Sequence, residues 1–130
     1  AGLTLQQFPG KISPLHAELY LVVRNWTGTQ ASWRDAAQDT PWNTAGCNGI
    51  GTDRSSVLAA ERDIFPVGDP YLSYPVDFDI TALVQEWVNG TLANNGVLLH
   101  AENTYPAEFY FTSAEGGTVA WRPKLVVRYH

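Results

Sequence analysis

Methionine is absent from the 130-residue chain, even at position 1, and cysteine occurs once, as Cys47. The missing methionine and the Ala1-Gly2 start read as marks of a processed chain, as after signal-peptide removal behind small residues. A lone cysteine excludes an intrachain disulfide, so packing must hold the fold. Its neighbours Gly46, Asn48 and Gly49 predict an exposed loop, where Cys47 is either a spectator thiol or a candidate interchain disulfide. Basic residues are few: 8 Lys and Arg stand against 13 Asp and Glu, a formal net charge of −5. Such a surface repels phosphate backbones and argues against nucleic acid as a partner. No apolar run approaches the roughly 20 residues that span a bilayer, so no transmembrane segment is expected. Charge blocks, low-complexity tails and internal repeats are also missing.

Aromatic residues are abundant: 5 Trp, 6 Tyr and 5 Phe, beside 11 Gly and 8 Pro. Aromatic and β-branched enrichment with frequent turn formers predicts β structure in one domain over residues 1–130. Leu3 to Phe8 reads as a strand ending at Pro9-Gly10. Ala17 to Val23 is the strongest strand signal of the first half, and Ala31-Ser32-Trp33 a short edge segment. Tyr71 to Phe78 is a strand that Pro75 confines to an edge or an end. Three more strands follow, over Val97 to Ala101, Ala107 to Ser113 and Lys124 to Tyr129. One helix interrupts them. Ile80, Leu83, Val84, Trp87 and Val88 share one helical face, Asp79 can cap the start and Gly90 can end it. The expected fold is a two-sheet antiparallel β-sandwich or jelly roll with one short helix near residues 80–89, whose Trp87 is core-facing.

From Arg34 to Gly68 the strand pattern dissolves, apart from Val57-Leu58-Ala59. A connection of this length is a candidate functional surface. Trp42, with Tyr71 and Tyr74, is the expected sugar-stacking set, since pyranose faces pack on exposed rings flanked by polar groups. Trp26, Trp33 and Trp87 are assigned to the core. Catalytic chemistry finds no footing. Asp77 and Asp79 are spaced to share a face, but Asp79 is better used as a cap, and no nucleophile elbow accompanies His16, His100 or His130. The histidines lack ligand spacing, and no calcium-loop pattern surrounds Asp53 or Asp69. No catalytic residue, metal or cofactor is expected. The sequons at Asn25 and Asn89 are candidate N-glycosylation sites and fit secretion to an extracellular or cell-surface location.

The order Ala17-Glu18-Leu19-Tyr20-Leu21, Ser32-Trp33, Pro41-Trp42, then Asp79-Ile80-Thr81-Ala82-Leu83-Val84-Gln85-Glu86-Trp87 resembles DNRLRE-type domains. Asn95-Gly96-Val97-Leu98-Leu99, Phe111-Thr112-Ser113 and Arg122-Pro123-Lys124-Leu125 complete the resemblance over nearly the whole chain. It implies a secreted jelly-roll sandwich without catalysis, some members being carbohydrate-binding modules for acidic polysaccharides. Members usually begin with a further strand or two, absent here. That departure leads to the expected function: a structural subunit of a secreted filament or surface layer. Residues 1–8 would be exchanged by β-strand addition into a homopolymer, with Leu3, Leu5 and Phe8 filling pockets on the neighbour. The alternative is a carbohydrate-binding module that takes a polysaccharide on its loop aromatics.

Overall fold

The computed structural model describes residues 1–11, 13–66, 74–103 and 105–130, with side chains for all of these except 8–11. Its strands are β1 (Gly2–Lys11), β2 (Leu15–Val22), β3 (Asp35–Ala37), β4 (Thr40–Pro41), β5 (Arg54–Ile64), β6 (Tyr74–Asp79), β7 (Val97–Glu102), β8 (Glu108–Phe111) and β9 (Lys124–Val126). Helix α1 (Thr81–Asn89) separates β6 from β7, and a single 3-10 turn covers Val119–Trp121. The fold is all-β with one short helix, as a sandwich requires. One sheet has the order β6-β1-β8, with β9 also on β1; a second has the order β5-β2-β7; β3 and β4 form a small ribbon.

The chain divides into two compact units. Residues Ala1–Ala17, Ala60–Thr81 and Ala101–His130 make one; Glu18–Ala59 and Ala82–His100 make the other. In the first unit β1 is a central strand. It pairs antiparallel with β6, setting Leu3 opposite Phe78 and Leu5 opposite Val76, and with β8 and β9, setting Leu3 opposite Leu125. Leu5, Val76, Phe78 and Ile80 are buried on the alternating inward positions that a half-covered sheet dictates. Gln7, also buried, donates its Nε2–H to the Phe65 carbonyl at 2.9 Å, satisfying an amide that burial would otherwise penalise. The strand expected over residues 1–8 thus runs on through Pro9 and Gly10 to Lys11, and its backbone partners lie in its own chain.

In the second unit Leu19, Leu21 and Val22 of β2 are buried with Ala36, Trp42, Cys47, Leu83 and Val84. The helix begins where the sequence places it. Asp79 Oδ1 accepts the Thr81 N–H at 3.0 Å and its hydroxyl at 2.6 Å, and Gly90 takes the left-handed conformation (φ 72°) that closes the last turn. Its buried stripe is narrower than expected. Leu83 and Val84 are covered and Trp87 is half-buried, but Val88 is 73% exposed. The pattern-poor stretch also resolves differently: an 11-residue strand, β5, occupies Arg54–Ile64 where only Val57 to Ala59 read as strand. Alternation fails there because Ala59 and Ala60 are half-buried and Glu61, Arg62 and Asp63 follow as exposed residues in a row. Ala31-Ser32-Trp33, conversely, is not a strand.

Candidate functional site

The loop joining β4 to β5 is folded around one carboxylate. Asp53 is completely buried, and its oxygens accept N–H bonds from Asn43 (3.0 Å), Thr44 (2.9 Å) and Gly49 (3.0 Å), with the Arg24 guanidinium at 3.3 Å. Burial alone would raise its pKa; the donors from Thr44, Asn43, Gly49 and Arg24 outweigh that and hold the carboxyl below its usual range. With its oxygens taken up by three backbone N–H groups and the Arg24 guanidinium, the Asp53 carboxylate organises this loop. Close approach requires glycine at position 49, where a Cβ would meet Asp53 Oδ2 at 2.6 Å.

This folded loop carries Trp42 inward and supports Trp33 outside. Trp42 is 9% exposed, packs with Val22, Ala36 and Cys47, and donates its indole N–H to the Ser32 carbonyl at 2.9 Å. The Arg24 guanidinium lies 5.7 Å from its ring. Trp33 instead is 73% exposed. Its ring lies against Gly46, whose φ is 77° and where a Cβ would sit 2.5 Å from the indole; Gly46 N–H bonds the Trp33 carbonyl at 2.6 Å. Trp26, 45% exposed, donates its indole N–H to the Asn95 carbonyl at 2.6 Å, with Gly28 and Gly96 beside the ring.

Together Trp26, Trp33 and Trp42, with Val22, Val97 and Leu98, line an open groove of about 330 Å³. No charged side chain lines it among the described residues. A second recess of about 310 Å³ adjoins Trp26 and is lined by Asn25, Asn94 and Asn95. The arrangement offers flat, fixed aromatic surfaces next to amides that both donate and accept.

Several expectations are revised by this geometry. Trp42 is the floor of the groove rather than an open platform, while Trp26 and Trp33, assigned to the core, are its exposed walls. Tyr74 belongs to the other unit, half-buried at the start of β6, and Tyr71 lies outside the described residues. Cys47 is buried, not exposed. Desolvation, reinforced by Asp53, pushes its thiol up to about 11, so it stays protonated and is unsuited to an interchain disulfide. Asn25 and Asn89 are both exposed. Leu5 is buried and Leu3 half-buried within their own sheet, and the Phe8 side chain lies outside the described set. One signal could have exposed the groove: the glycines at 28, 46 and 96, each next to a tryptophan in the structure, occur in turns that need no other side chain packed there.

Elsewhere, His100, half-buried within β7, pairs its Nδ1 with Glu18 at 3.1 Å and packs edge-on to Tyr20. In the first unit His16 lies between Asp63 (2.8 Å) and Glu61 (3.2 Å); the Asp63 hydrogen bond leads in raising its pKa. No helix among the described residues is long and apolar enough to cross a membrane. A family model described as a disaggregatase related repeat domain matches residues 11–127. No curated protein and no solved structure matches the chain.

Proposed function

We propose that the chain, which belongs to the disaggregatase-related repeat family, is a non-catalytic, extracellular carbohydrate-binding repeat that holds a polysaccharide on its tryptophan groove. The observation that carries this reading is Trp33: a large ring left 73% exposed yet seated on Gly46, beside a second fixed indole at Trp26. A ring held in place spends little entropy on binding, and its face suits the C–H surface of a pyranose. Amides at Asn25, Asn94 and Asn95 suit the hydroxyls at the sugar's rim. The DNRLRE-type resemblance, with its carbohydrate-binding members, supports the same reading, as do two exposed sequons for an extracellular location. A single shallow site binds weakly, and a repeat gains strength when several copies share one polymer.

The filament reading receives less support from the geometry. β1 is hydrogen-bonded on both sides within its own chain, so donating it to a neighbour would first open the centre of its own sheet. Affinity electrophoresis through gels containing a panel of soluble polysaccharides tests the proposal. At least one polymer should retard the wild-type chain, and Trp33→Ala should restore free mobility. Unchanged mobility of the wild type across the panel would contradict it.

A further inference from the structure

Resting on the reading of the groove as a polysaccharide site, we propose that its ligand is a neutral polysaccharide, a chain of uncharged pyranose units, and not a polyuronate or a sulfated glycan. The groove walls supply aromatic and aliphatic surface, with Ser32 as a polar side chain and no cation among the described residues. The recess beyond Trp26 is walled by neutral asparagines. An acidic glycan would need guanidinium or ammonium groups facing it, ideally in bidentate geometry.

The cations of this unit are Arg24, Arg34 and Arg54, and none is placed for that task. Arg24 is engaged by Asp53 at 3.3 Å and by the Pro41 carbonyl at 3.2 Å. Arg54 is 7% exposed, bonds Asn48 Oδ1 at 2.8 Å and lies 4.0 Å over the Tyr20 ring. Arg34 follows Trp33 in sequence but does not line the groove, and its neighbour Asp35 adds an opposing charge. The indole N–H groups of Trp26 and Trp42 are both consumed by backbone carbonyls. Those two rings therefore offer faces rather than donors, and faces discriminate by shape and not by charge. With a net charge of −5 on the chain, long-range electrostatics also disfavour a polyanion.

The test uses the full chain in affinity gels containing galactomannan, mixed-linkage glucan, alginate or polygalacturonate, each at low and high salt. Retardation is expected in at least one neutral gel, insensitive to salt, with Trp33→Ala and Trp26→Ala each weakening binding about tenfold or more. Trp33 and Trp26 are exposed, so both variants should fold; circular dichroism verifies this. Retardation only by alginate or polygalacturonate, lost in Trp33→Ala, would overturn the neutral-ligand inference while leaving the groove as the polysaccharide site. Retardation that survives both substitutions would overturn the inference by moving the ligand elsewhere. Failure of every gel would overturn this inference together with the proposed function.

Discussion

At the scale of residues, two small positions hold the groove open and in shape. Gly46 combines a left-handed backbone with an indole against its α-carbon. Gly46→Ala should cost about 1–3 kcal/mol from backbone strain alone, and should also displace Trp33, seen as a lower thermal midpoint with altered tryptophan emission. Asp53 is the other. Asp53→Ala strands three backbone donors and leaves Arg24 without its carboxylate, at an expected cost of about 3–5 kcal/mol in chemical denaturation. The sign of its pH dependence follows from the lowered folded-state pKa. Its contribution is complete above the ordinary carboxyl value of 3.8 and is lost as pH falls through the depressed one. Wild-type stability should therefore fall between about pH 5 and about pH 2 more steeply than that of Asp53→Ala. None of this was legible in the sequence beyond loop chemistry, because Asp53 meets Asn43, Thr44, Gly49 and Arg24 only after the loop has closed.

Among the elements, the helix was the most legible and still only in part. Asp79 bonding Thr81, the apolar pair Leu83-Val84 and the closing Gly90 follow local rules that need no tertiary information. How much of the stripe is covered depends on what packs against it, and so Val88, which the spacing puts on the buried face, stands exposed. Leu83→Ala should destabilise by about 2–5 kcal/mol, whereas Val88→Ala should stay within about 0.5 kcal/mol; equilibrium unfolding of the pair checks the difference. Most of β5 is not legible in the sequence because its exposed charges break the period of two. The places of the tryptophans are hidden for a related reason: composition says that five exist, but not which ones a folded loop will cover. Trp42 reads as an exposed ring, and the loop tied to Asp53 folds it in. Trp33 and Trp26 read as core rings and stand out.

For the molecule as a whole, the all-β architecture was legible from aromatic and β-branched runs separated by turns, while the place of the first strand was not. A strand at residues 1–8 reads as an appendage when only its sequence is seen. In the sheet it is the strand on which β6, β8 and β9 assemble. Deleting residues 1–8 should therefore abolish cooperative unfolding of the chain, measured by circular dichroism on heating. A truncated chain that melts like the full one would show that β1 is dispensable to its sheet. The central claim concerns the other unit, where the groove of Trp26, Trp33 and Trp42 is read as the polysaccharide site. The indole N–H resonances of the chain, assigned by single substitutions and followed during titration with oligosaccharides cut from the best-retained neutral polysaccharide, test it most directly. Signals of Trp26 and Trp33 should shift with ligand, followed by Trp42 beneath them, while Trp87 and Trp121 stay still. Shifts confined to Trp87 or Trp121, with Trp26 and Trp33 unmoved at saturation, would contradict it.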